Sequence, residues 1–220
     1  MAHFMSKDAF QHWKEGLQSI VQRFPLTLFF TIASCLSLIY LNHDLLFDGQ
    51  NKQLEFFFVF YPLTATILSL TLHLWTEDMR QRLKAWGWQG GLHALWLALC
   101  IYWATEYELS IGQSIAAGTC VGAMLVGWFT LPFAQQTNDR PAINFLIRLM
   151  GSGIIAAGTS FVLFLGILLL IQSFKYLFNM DIEETLYADT ANVCFTLVAP
   201  LLFMFQLPKD EQKYLSLIHI

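Results

Sequence analysis

Phe161–Ile171 reads FVLFLGILLLI, a stretch with no polar side chain at any position. A membrane-spanning strand would alternate apolar and polar residues over about ten positions, so this stretch belongs to a helix. It lies within a longer apolar run, Leu149–Phe174. A helix needs about 20 residues to cross roughly 30 Å of hydrocarbon, and this run is long enough. Five others resemble it: Pro25–Leu41, Leu54–Trp75, Trp88–Ala104, Leu109–Phe133 and Ala191–Leu207. The chain as a whole is 56% apolar and 13% charged, against roughly 45–50% and about 25% in soluble domains. Six such runs in 220 residues leave too little polar sequence to cover a soluble core. The expected fold class is all-α: a polytopic membrane bundle of six transmembrane helices.

The charges between the runs carry an orientation. Lys7, Lys14 and Arg23 precede the first run, and Arg80, Arg82 and Lys84 follow the second. Arg140 and Arg148 follow the fourth, and Lys209 and Lys213 follow the sixth. Of the twelve basic residues, only Lys52 and Lys175 fall in the other gaps. Lys and Arg are retained on the cytoplasmic side during insertion, so both termini are expected in the cytoplasm. Asp44, Asp48, Glu55, Glu106, Glu108, Asp181, Glu183, Glu184 and Asp189 then face the other side. The net charge of −4 is thereby divided across the membrane, and nothing in it points to nucleic acid. The expected partners are the lipid bilayer and a homo-oligomeric or membrane protein partner, and the expected location is a bacterial inner membrane.

Three segments follow. Residues 1–24 form a cytoplasmic N-terminus, 25–207 the membrane domain, and 208–220 a cytoplasmic tail. Phe10, Trp13, Leu17, Ile20 and Phe24 recur at spacings of three and four among polar residues, which predicts an amphipathic helix over about residues 8–23. It is expected in the headgroup layer, with a docking helix for a partner as the other reading. Pro25 suits the first turn of the next helix, where a missing N–H costs least. Leu41–Asn42–His43–Asp44 is a poor cleavage site, so the first run is read as an anchor that stays.

Pro62 and Pro200 lie well inside their runs. Each removes a backbone hydrogen bond, so a bend is expected at both, and bent helices can line a cavity. Small residues concentrate in the fourth and fifth runs: the GxxxG of Gly118–Gly122, and Gly153 and Ala157. Close crossing of these two helices through Gly118, Gly122, Gly153 and Ala157 is expected, because small residues let backbones approach in lipid. A dimer face is the alternative use of the same residues.

Chemistry-bearing groups are few. His73 and His93 fall near the cytoplasmic ends of the second and third runs, which one loop joins. At similar depth they form the one candidate metal-binding or titrating pair, and each also fits as an interfacial packing residue. Glu106 and Glu108 could bind a cation or simply polarise a turn. Asp181–Asp189 (DIEETLYAD) lacks the glycine and ligand spacing of an EF-hand. Cys35, Cys100, Cys120 and Cys194 all sit in apolar runs with no CxxC, which fits packing and not redox chemistry. HExxH, GxSxG, Walker A and Rossmann glycine patterns are absent. No catalytic residue and no cofactor are therefore expected.

Arg23–Phe24–Pro25–Leu26–Thr27 leads the first span, and the Gly/Ala-rich fifth run passes into Leu168–Phe178. The sixth holds Phe195–Thr196–Leu197–Val198–Ala199–Pro200, followed by Phe205–Gln206–Leu207–Pro208–Lys209. In these phrases the chain resembles an uncharacterised family of bacterial multi-pass membrane proteins, domain of unknown function 4153. The resemblance implies a longer protein with further membrane helices after the Leu-Pro junction, and it implies no catalytic residues. Ser216–Ile220 (SLIHI) follows a charged linker and reads as a truncation, with a genuine short tail as the other reading. The expected function is that of a non-catalytic membrane module (sensor, scaffold or assembly part), and the competing one is part of a transporter or channel.

Overall fold

The computed structural model describes residues 14, 16–43, 52–77, 82–105, 111–131, 139–179 and 181–207. Among them the chain is helical almost throughout, with no strand. Residues 16–23 form helix α1, and the rest of the amphipathic segment expected at 8–23, apart from Lys14, lies outside the described residues. Phe24 leaves the helical conformation (φ −123°, ψ 51°), because a residue before proline is pushed out of the α region. Pro25 then opens α2 (Pro25–Asn42), as its missing N–H predicts. The chain continues through α3 (Lys52–Thr76), α4 (Arg82–Thr105), α5 (Ile111–Thr130) and α6 (Asp139–Phe178). Asn179 ends α6 in the left-handed conformation (φ 48°), a common helix stop. The return path is α7 (Glu184–Asn192), a π-helical stretch Val193–Val198 and α8 (Ala199–Gln206), running without a gap.

Five of these helical stretches are long and apolar enough to cross a membrane: Pro25–Asn42, Leu54–Thr76, Ile111–Thr130, Phe145–Phe178 and Glu184–Gln206. The expected sixth, Trp88–Ala104, lies within α4, which has the length but not the apolarity. Gln89, Gly90, Gly91 and His93 lower its hydropathy; Gln89 bonds Thr76 of α3 and His93 is buried against Phe30, as described below.

Helix α3 is the hub. It packs against α2, α4 and α5, while α6 folds back along the π-helical stretch and α8. Two apolar clusters hold these groups. Leu68, Leu72, Trp96, Cys100, Trp103 and Ala117 join α3, α4 and α5, with Trp96 and Trp103 edge-on at 5.7 Å. Ile20, Phe24, Leu70, Leu74, Phe145, Leu149, Ala156, Phe203, Met204 and Leu207 join α1, α3, α6 and α8. The face of α1 expected in the headgroups therefore docks on the bundle through Ile20 and Phe24, while Leu17 and Val21 stay exposed.

The expected crossing of α5 and α6 is not the packing observed. A Cβ at Gly118 or Gly122 would meet nothing within 4 Å, one at Gly153 would meet the Phe203 ring of α8 at 3.8 Å, and Ala157 is exposed. Helix α5 instead lays Ala117, Cys120, Met124 and Gly127 toward α3, and Gly118 and Gly122 point away from that face. The glycine that permits close approach is Gly127, where a Cβ would stand 2.8 Å from Thr71 Cγ2. That methyl cannot rotate aside without loss, because the Thr71 hydroxyl bonds Ile67 O at 2.8 Å and Met124 O at 3.0 Å. Gly127→Val should therefore destabilise the detergent-solubilised protein by roughly 1–3 kcal/mol, the usual cost of overpacking. Gly118→Val should leave its melting temperature unchanged. Equal melting temperatures for the two variants would refute this assignment of the α3–α5 contact.

Candidate functional site

The break at Phe24–Pro25 delivers Arg23 to the end of α3. Its guanidinium grips Glu77 with two bonds, Nε to Oε1 at 2.7 Å and Nη2 to Oε2 at 3.1 Å. A third, from Nη1, reaches the Leu207 carbonyl at 3.2 Å, so one side chain ties α1, α3 and the end of α8. Both partners are largely buried, with side chains 16% and 11% exposed. His73 lies one turn before Glu77, with Nε2 3.9 Å from Oε1, and its ring meets Phe24 at 4.5 Å. A fork-to-fork Arg–carboxylate pair of this kind fixes geometry as well as charge.

From this clasp a polar seam runs inward between α2, α3 and α4. Thr27 and Ser69 share a hydrogen bond of 2.9 Å. Gln89 donates to Thr76 Oγ1 at 2.7 Å, and Thr76 donates to Leu72 O. His93 is buried, with its Nδ1–H directed at the Gln89 carbonyl at 2.8 Å. Phe30 stacks on the His93 ring at 5.3 Å. The Ala65 carbonyl lies near that ring but outside bonding geometry to Nε2, which has no hydrogen-bond partner among the described residues. Deeper still, Trp96 donates to Thr64 Oγ1 at 2.9 Å. The outer end of the seam opens into a cleft of about 250 Å³ whose lining includes Gln22, Thr27, Ser69, His73, Trp86 and Gln89.

A second clasp closes the opposite end of α2. Asn42 Nδ2 donates to Asp189 Oδ1 at 2.9 Å, and His43 Nε2 stands 2.6 Å from Oδ2. It joins α2 to α7.

The two histidines expected to act together make different contacts. His73 belongs to the Arg23 clasp and His93 to the seam beneath it, on ring contacts with Phe24 and Phe30 respectively. No group of three or more His, Cys, Asp or Glu that could hold a metal occurs among the described residues. Glu106 and Glu108 lie outside them. Pro62 sits within an uninterrupted α3, where Thr66 Oγ1 donates to its carbonyl at 2.9 Å. Pro200 stands in the first turn of α8, directly after the π-helical stretch. Sequence reasoning missed Arg23, Glu77 and Asp189 as partners. The available signals were an acid on the basic side four residues beyond His73, and the last acid of the Asp181–Asp189 stretch, just before an apolar run. No protein-family model, no curated protein and no solved structure matches the chain.

The burial of the Arg23–Glu77 pair sets an expectation. Glu77→Gln should destabilise the solubilised protein by roughly 3–5 kcal/mol, since it removes the carboxylate that a largely buried guanidinium grips. The double variant Arg23→Met/Glu77→Leu should recover part of that loss. Thermal melts in detergent that do not distinguish Glu77→Gln from the unaltered protein would show the clasp to be dispensable.

Proposed function

We propose that this chain is a non-catalytic integral-membrane module, a sensor, scaffold or assembly part of a longer protein, in a bacterial inner membrane with both ends cytoplasmic. The observation that carries this reading is how its polar groups are spent. Within the apolar helices, the hydroxyls of Thr31, Thr64, Thr66, Thr71, Thr76 and Thr196 donate to carbonyls of their own helices. Thr27, Gln89 and Trp96 bond across to neighbouring helices. The Arg23–Glu77 pair and the Asp189 carboxylate stand at the two ends of α2. Helix-to-helix bonding of this kind builds a bundle, whereas transport and catalysis usually leave ionisable groups near the midplane.

The end that each charge occupies supports this sidedness. Arg23 and Glu77 place the start of α2 beside the end of α3. Gln89 puts the start of α4 there, and Ser152, bonded to Gln206 O, the first half of α6. Lys14, Arg23, Lys84 and Arg148 therefore share one end, which the positive-inside rule makes cytoplasmic. Glu55, Glu184 and Asp189 share the other. Membership of the family of domain of unknown function 4153 belongs to the same proposal, supported by the Arg23–Thr27 and Phe195–Lys209 phrases.

One observation favours the competing reading, part of a transporter or channel. The π-helical stretch ahead of Pro200 is an irregular membrane helix beside an open crevice, and broken helices commonly mark transport sites. Intramembrane ionisable residues in a continuation of the chain would shift the balance toward transport.

The orientation is tested by membrane-impermeant maleimide on intact cells, with the four native cysteines replaced by Ala. Glu184→Cys should label from outside, and Lys84→Cys only after permeabilisation. The reverse pattern would overturn the orientation, and labelling of both from outside would overturn the membrane reading itself.

A further inference from the structure

Between the α2–α3 pair and the α6–α8 hairpin lies a crevice of about 390 Å³, within the roughly 300–1,000 Å³ usual for small-molecule sites. Its walls are built by missing bulk. Gly153, Ala156 and Ala157 of α6 face the Thr196–Pro200 turn, where the π-helical stretch meets α8. A Cβ on Gly153 would still find only one ring carbon of Phe203, at 3.8 Å. Trp128 and Leu70 close the side toward α5 and α3.

We propose that this crevice holds one acyl chain of a bilayer phospholipid; the inference rests on the membrane reading above. Charge complementarity selects the occupant. Among the described residues no member of the lining is ionisable. The Thr27 hydroxyl is joined to Ser69, Thr66 and Thr196 donate to Pro62 O and Asn192 O, and the Trp128 N–H reaches Ile67 O at 3.3 Å. A charged or hydrated ligand would lose its water and find those donors taken, whereas a hydrocarbon chain gives up no hydrogen bond on entry. Depth agrees. The α2 wall runs from Thr27 to Ser34, roughly 6–16 Å along the helix from Arg23 at 1.5 Å per residue. That places the crevice inside the leaflet on the Arg23 side. Ala157 both lines the crevice and is exposed, so the crevice opens sideways, toward lipid. Left empty, it would forfeit dispersion contacts along its whole lining.

The full chain is reconstituted in phosphatidylcholine/phosphatidylglycerol vesicles containing a phosphatidylcholine with a diazirine on one acyl chain. After photolysis, adducts are mapped by peptide mass spectrometry. Ile154 and Val162, 71% and 69% exposed on α6, report ordinary lipid contact. The proposal expects adducts also at Gly153 and Ala156 and at Thr196, Ala199, Pro200 and Phe203, and their loss in Ala157→Phe or the milder Gly153→Leu while those at Val162 persist. Adducts at the exposed positions alone would overturn the crevice assignment and leave the membrane reading intact. Absence of adducts everywhere would overturn both. Should both filling variants fail to fold, the map of the unaltered protein decides: crevice adducts at least as strong as those at Val162 support the site, and their absence refutes it.

Discussion

The grip of Arg23 on Glu77 and on the Leu207 carbonyl is the constraint around which the remaining contacts are arranged. One guanidinium at the entrance of α2 fixes the end of α3 and the end of α8, and with them the two groups of helices. Its counterpart at the far end, Asn42 and His43 on Asp189, holds α7 to the exit of α2. Helix α2 has 18 residues, so the clasps stand about 27 Å apart at 1.5 Å per residue. That is close to the roughly 30 Å of a bilayer's hydrocarbon layer. Charge stands at those two heights, while the stretch between is left to neutral hydrogen bonds and apolar packing.

Between the clasps the polar side chains follow one economy. A threonine hydroxyl that donates to the carbonyl four residues back leaves no group unsatisfied in hydrocarbon. Its oxygen can still accept, as Thr64 does from Trp96 and Thr76 from Gln89. This lets α4, the least apolar of the long helices, turn Gln89 and His93 inward against α2 and α3. The exception is His93 Nε2, which leaves an acceptor in the core without a partner among the described residues. The Ser160 hydroxyl on α6 is likewise buried and unpaired among them. Neither has a physical account in the contacts around it.

Helices α5 and α6 illustrate how packing in lipid departs from a small-residue pattern. With no hydrophobic force to choose between faces, van der Waals fit and hydrogen bonds decide. The Thr71–Met124 bond and the Trp128–Ile67 bond draw α5 toward α3 through Gly127. Gly118 and Gly122 make a second small patch, yet a Cβ on either would meet nothing within 4 Å. On α6, Gly153 and Ala157 do not admit a helix at close range; they leave the wall of a crevice.

The sequence by itself determined the helical class, the positions of the long apolar stretches, the proline at the head of α2 and the segregation of basic from acidic residues. Each rests on local composition or on order along the chain, which no folding step alters. Tertiary structure decided which of those features meet. That Arg23 finds Glu77, and Asp189 finds His43, joins residues 54 and 146 positions apart, a pairing that periodicity does not encode. Where α1 docks, which residues of α4 turn inward, and which glycine faces α3 depend on the rotation of each helix about its axis. That rotation is set by the fit of side chains from several helices at once, and a single chain read in order carries no measure of it.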